Sequence, residues 1–443
     1  MILAVVWSAF FDRREKILNG DGDTLRSNRR LAGGTISGVR LSFTTAMTDV
    51  QDSELDSLTS WLIVAVGVIL LVLVWGIVFT FTVYSQALES AFGLTSLRVS
   101  SVFSITTAAF YIAGGAIGVV IARVPLRPVV AAAGFVFAAA VALLQVTASY
   151  EGLVLAFGLL GTAGGTMFVV IISLVPQWFE EYQGRAMGIT MTGNGLGVFI
   201  LPPVWVWLLG RTSIRGAFVV VGGATVGVIL LASLLYRRPP GRRGTDVSPV
   251  DTTWLRSNLT DRAFLASLAG FALIWSWYFV LSADFVGILT ENGIRRTLAA
   301  TAFGIVGGVS VAARVASGEF ADRIGMRVTL TAGVVLASLG MGALPLVTTP
   351  LPMYALLVLF GVGLGAVAPL FSPIIIERFG PANATAIVGI FTVAEATTAF
   401  SVPIVLNVLT EVTGGYAPPL VLIGGATLLG AGLFYRGTAP QSA

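Results

Sequence analysis

Three ionisable side chains, Asp284, Arg314 and Glu395, each stand alone as the charge in a long apolar run. A charge at membrane depth is expensive, and its presence there marks a functional candidate. Arginine stays charged at any physiological pH and presents a fork of donors that fits a planar anion. A carboxyl can take up and release a proton. The chain has no histidine and no cysteine, so proton chemistry falls to a carboxylate, and thiolate or imidazole metal sites are excluded. With no clustered acidic motif either, the sequence predicts no bound metal, no cofactor and no enzyme.

The solvent for these groups follows from composition. Of 443 residues, 56% are hydrophobic and 11% charged, and the mean hydropathy is +0.91. Such a chain lives in a membrane. Twelve runs long enough to cross one lie near 61–84, 99–121, 128–149, 152–174, 186–209, 216–236, 263–287, 298–318, 328–348, 351–375, 384–409 and 417–435. The fold class expected is therefore all-α, with twelve transmembrane helices. A polar stretch, 237–262, divides six spans (61–236) from six more (263–436), leaving 437–443 as a C-terminal tail. Residues 1–60 read as a polar, disordered cytoplasmic tail. Their first eleven residues are too short to span, and Met47 offers an alternative start.

Arginine placement orients the chain. With the N-terminus inside, inner loops from residue 61 onward hold thirteen arginines and outer loops five. The positive-inside bias then puts both termini in the cytoplasm of a cell-membrane protein. The net charge of +4 is loop charge, and no nucleic-acid motif accompanies it.

Residues 318–327 read GEFADRIGMR, and 118–127 read GVVIARVPLR. Gly318, Arg323 and Arg327 each match a residue 200 positions earlier, whereas Asp322 and Gly325 are replaced there by Ala122 and Pro125. A second pairing sets Gly188 against Gly389 and Asn194 against Glu395. Two six-helix halves thus share one plan, and parallel repeats of this kind place a substrate site between them near the midplane.

GEFADRIGMR resembles the loop 8–9 motif of the major facilitator superfamily, with Phe320 in place of the usual Leu. The resemblance implies a transporter in which Gly318, Asp322, Arg323, Gly325 and Arg327 form a conformational latch of the outward-facing state. The worn first copy then makes a weak latch. The segment PQWFEEYQGRAMGITMTGNGLGVFILPP is similar to that of the monocarboxylate transporters and oxalate–formate antiporters, as is RTSIRGAF, with Ile214 replacing Trp. That branch has an Arg four residues before the motif glycine, where Arg314 stands, and its role there is to bind the substrate carboxylate. Three departures separate this chain from the branch: Glu395 replaces a Lys, Ser310 an Asp, and Phe79 a Lys. A doubly cationic oxalate site is therefore not expected.

The expected function is secondary transport of a small organic anion, a monocarboxylate, by proton symport or anion exchange, in a chain acting as a monomer in the bilayer. Arg314 is the anion ligand or, alternatively, an arginine snorkelling to the surface. Glu395 is the coupling group or the structural partner of Arg314. Asp284 is a second candidate for proton coupling, or pairs with Arg295 or Arg296 at an outer gate. Tyr84, Tyr111, Asn194 and Tyr278 are candidate cavity groups. The rival readings are efflux of larger amphiphilic compounds and a non-transporting sensor.

Overall fold

A computed structural model describes residues 55–121, 124–239, 252–380 and 384–440. The expectations for residues 1–54, and those for Ala122 and Arg123 of the first basic turn, lie outside them. Among the described residues twelve helices are long and apolar enough to cross a membrane. A bilayer core of about 30 Å selects such lengths, because every backbone amide within it must bond inside its own helix.

In the first half, α1 (Leu58–Val78) is long enough to cross by itself and α2 (Phe81–Phe92) follows it after a short break, then come α3 (Ser96–Val120), α4 (Leu126–Val146), α5 (Tyr150–Leu174), α6 (Gln183–Leu209) and α7 (Ile214–Leu235). The polar stretch between the halves includes a short helix, α8 (Thr252–Thr260). In the second half α9 (Arg262–Ile274) and α10 (Ser276–Glu291) share a span, as do α11 (Arg296–Ala302) and α12 (Gly304–Ile324). Then follow α13 (Met326–Ala343), α14 (Pro350–Phe379), α15 (Ala384–Thr413) and α16 (Ala417–Gly437). Side-chain caps start several of these helices. Thr95, Ser149, Ser213 and Asp261 accept from the amides of Arg98, Gly152, Gly216 and Ala263.

The repeat read from the sequence recurs in the contacts. Arg127 at the start of α4 donates to the Leu234 carbonyl of α7 at 3.3 Å. Arg327 at the start of α13 donates to the Tyr435 carbonyl of α16. Within the halves, α3 packs on α5 as its counterpart α12 packs on α14, whereas α1 packs on α6 and its counterpart α9 packs chiefly on α16.

Three seams join the halves: α3 with α15, α6 with α12, and α2 with α10. All three are tight toward the face away from α8. Asn407 Nδ2 donates to Ser100 Oγ at 2.6 Å, and the Val286 amide donates to Thr82 Oγ1 at 2.8 Å. On the α6–α12 seam the backbones touch, and a Cβ on Gly195 would sit 2.8 Å from the Gly307 carbonyl oxygen. Only glycine permits that approach. Nearer α8, a Cβ on Gly188, Gly318 or Gly389 would meet nothing within 4 Å. The halves are thus closed on each other on the side away from α8.

Candidate functional site

Two broken spans build the centre. The first was expected as one helix over 61–84, but it breaks at Phe79 and Thr80. The break frees carbonyl oxygens that buried backbone must satisfy. Thr80 Oγ1 and Trp205 Nε1 both donate to the Gly76 carbonyl, the indole at 3.3 Å, and Tyr84 OH donates to that of Ile77 at 2.7 Å. Tyr84 is therefore no cavity group. Its ring lies buried among Phe81, Phe157, Trp205 and Phe218 of the first half, and its hydroxyl is spent on the break. The seventh span breaks in turn at Trp275, whose carbonyl accepts from the amides of both Tyr278 and Phe279.

This second break sets Tyr278 against the first half. Its ring lies 5.6 Å from that of Phe79, centroid to centroid, and the Trp75 indole and the Ser282 hydroxyl are near its phenol. Neither forms a hydrogen bond of good geometry with it, and Tyr278 Oη and Ser282 Oγ are both buried without a partner. Arg314 and Glu395 each lie close enough to Tyr278 to act on it by charge.

Arg314 reaches across the seam from α12 and donates through Nη1 to the Met191 carbonyl of α6. Its Nε is buried without a partner. An arginine engaged across the two halves is not snorkelling to a surface. Glu395, on α15, is 7% exposed and faces the Tyr111 hydroxyl of α3, close enough for the two to share a hydrogen bond. Glu395 and Arg314 form no ion pair, so the fixed-pair alternative does not describe this conformation. Asn194 is buried one residue before the glycine contact of α6, its Oδ1 unpartnered and its Nδ2 4.0 Å from the Met191 sulfur.

Asp284 differs from expectation. It accepts a hydrogen bond from the hydroxyl of Tyr416, which precedes α16, and is not ion-paired with Arg295 or Arg296. Arg296, Glu89 and Glu291 act on it only through longer-range charge. Burial, then the charge of Asp284 beside it, push the Tyr416 phenol well above its usual range, so it stays a donor. Six residues, or about 9 Å of helix, separate Asp284 from Tyr278, on the closed side.

Of the residues expected to form a latch, Gly325 turns the chain at φ 91°, a region that favours glycine. Arg327 holds α16 through the Tyr435 carbonyl and, at 3.2 Å, Thr438 Oγ1. Arg323 bonds Glu319 at 2.5 Å within its own helix. Gly318 faces open space, and Asp322 is exposed with no hydrogen bond or ion pair among the described residues. Those described residues also include no group of three or more acidic side chains able to hold a metal.

Sequence reasoning missed Trp75 and Ser282. Trp75 sits in an apolar run as one aromatic among many, and only the break at Phe79 reveals which way it is set. Ser282 is four residues past Tyr278, one helical turn, and that spacing was its only signal.

The family model described as "Major Facilitator Superfamily" matches residues 64–403. Monocarboxylate transporter 13 of Bos taurus is 26% identical over 396 residues, covering 86% of this chain and 91% of the relative. Monocarboxylate transporter 2 of Homo sapiens is 23% identical over 366 residues, 76% of each chain. Among solved structures, a bacterial homolog of the human lysosomal transporter Spinster, in an inward-facing and unoccupied conformation, superposes with a TM-score of 0.67. It is 14% identical, with 86% of this chain and 98% of that one covered, a likeness of fold alone.

Proposed function

This chain belongs to the Major Facilitator Superfamily, and we propose that it moves a small monocarboxylate through the bilayer together with a proton. It is a transporter, multi-pass in the membrane, and not an enzyme. The observation that carries the substrate reading is Arg314. Its guanidinium lies on the seam between the halves with a buried, unpartnered Nε and no carboxylate from the protein beside it. A buried cation without a counter-charge is costly, and an incoming anion removes that cost. The names of the monocarboxylate relatives support the same substrate class.

Glu395 supplies the coupling. Its partner is a hydroxyl, and a hydroxyl can donate to a carboxylate or accept from a carboxylic acid, so Tyr111 serves both protonation states. Anion on Arg314 and proton on Glu395 together bring the site to neutrality before it crosses. Asn194 on α6 and Tyr278 at the α10 break complete the polar contacts. Asp284, tied to Tyr416 on the closed side, is the second carboxyl on the proton's route. The side that bears α8 is assigned to the cytoplasm of a cell-membrane protein that works as a monomer.

The test is uptake of radiolabelled lactate and pyruvate into proteoliposomes with and without an inward proton gradient. Gradient-stimulated accumulation that is lost in Arg314→Gln is expected. Uptake indifferent to both the gradient and Arg314 would exclude the reading.

A further inference from the structure

The α3–α15 seam, the most extensive of the three between the halves, carries its polar contacts on one face of each helix. Ser100, Ser104, Thr107 and Tyr111 are spaced as one stripe along α3. Glu395, Ala399, Pro403 and Asn407 follow one another at single turns along α15. The two helices run antiparallel, so Ser100 meets Asn407, Thr107 meets Ala399 and Tyr111 meets Glu395. All of these residues are buried.

Pro403 makes this ladder more than packing. It lies inside α15 and has no amide, so the Ala399 carbonyl four residues back is left without its helical donor. Thr107 Oγ1, from the other half, donates to that carbonyl at 3.2 Å. The hydroxyl has one hydrogen, and it also lies 2.9 Å from the Phe103 carbonyl and 3.2 Å from that of Ser104. Those two belong to an unbroken helix and keep their own amides, whereas Ala399 has no other donor from its helix. Asn407 Nδ2 donates to the Pro403 carbonyl at 3.2 Å as well as to Ser100. A helix bends where a proline has removed a rung of its ladder. Here the freed carbonyl is held by a side chain of the opposite half, and parting the seam must undo that bond at the point where α15 can bend.

We propose that α15 hinges at Pro403 to open the face away from α8, that Thr107 is the catch holding it shut, and that the proton on Glu395 sets the catch. This rests on the coupling role of Glu395 given above and adds where its proton acts. Tyr111 can donate to the carboxylate or accept from the acid, so their contact survives in both states. Burial decides the sign. A carboxylate shut in the seam is costly and the acid is not, so the protonated residue keeps the face closed and loss of the proton favours opening. The emptied site is thereby returned to the far side. Among the described residues the ionisable groups that interact with Glu395 are Tyr111 from α3 and, by charge, Tyr278 from α10. On α9 the rings of Phe264 and Phe271 face this helix, 5.7 and 5.4 Å from that of Phe391.

Ser104 supplies the reporter, because it is buried on the same stripe and the chain has no cysteine of its own. The rate at which a polar maleimide labels Ser104→Cys in the purified full chain would be measured across the neutral range, from mildly acid to mildly alkaline. Each rate would be divided by that of the SDS-unfolded chain at the same pH. Labelling is expected to rise about tenfold with pH in this parent, the weight of one hydrogen bond, and to stay slow and flat once Glu395→Gln is added. Thr107→Val should raise labelling by about the same factor at the acid end, whereas Thr107→Ser, which keeps the hydroxyl, should not. Labelling that ignores pH, or Thr107→Val labelling like the parent, would overturn the proposal. If Glu395→Gln then still fails to accumulate substrate against a proton gradient, the coupling role of Glu395 stands without it. Accumulation that survives in Glu395→Gln would bring down the coupling role and the proposal together. The pH series of the parent decides even if Thr107→Val fails to fold.

Discussion

Arg314 and Glu395 were legible because each is a single charge in a run that hydropathy alone would leave uncharged. What they touch was not legible. The sequence permits an Arg314–Glu395 pair, but the structure gives Arg314 the Met191 carbonyl and Glu395 the Tyr111 hydroxyl. Tyr84 shows the opposite failure. It reads as a polar group at the end of a span, and its hydroxyl is taken by the Ile77 carbonyl because the helix breaks there. If Arg314 grips a carboxylate with two parallel donors, Arg314→Lys keeps the charge and loses the fork. Half-saturation for lactate exchange should then rise about tenfold or more, the weight of one charge-assisted hydrogen bond. An unchanged value would mean that Arg314 acts as a point charge only.

At the scale of elements, the twelve spans follow directly from hydropathy, with bounds close to those expected. The breaks at Phe79, Trp275 and Phe303 do not, because no proline marks them. They depend on tertiary partners: Trp205 and Tyr84 hold the first open from other turns and another helix. The linker also held a helix, α8, that its prolines and glycines concealed. The basic turn at α12–α13 is proposed to have two duties. Arg327 is engaged on α16 in this conformation, and Asp322 is idle. A latch of the opposite conformation, as proposed, would be disengaged in this one. Asp322→Asn is therefore expected to slow transport by about tenfold while leaving the melting temperature of the purified protein unchanged. A shared fall in both would make Asp322 a structural residue, and no effect on either would make the second turn as inert as the first.

Across the whole molecule, the halves are tied together on the side away from α8, which is the closed side in the proposed transport cycle. The two halves meet through few polar bonds, notably Ser100 with Asn407. The chain contains no cysteine, so introduced pairs report cleanly. Ser100→Cys with Asn407→Cys should cross-link readily in the resting protein and stop transport until reduced. A cross-linked protein that still transports would mean the far face never opens. Orientation is checked separately: a reporter inserted between Asn292 and Gly293 should face the outside and one after Arg243 the cytoplasm. The central claim, that Glu395 carries the coupled proton, is tested most directly by Glu395→Gln, which keeps the shape and hydrogen-bonding of the protonated acid. Counterflow and gradient-driven uptake would be measured on the same reconstituted preparation. Coupling through Glu395 predicts that the variant exchanges substrate at a near-normal rate yet fails to accumulate it against a proton gradient. Accumulation that survives in Glu395→Gln would contradict the account and transfer the coupling role to Asp284.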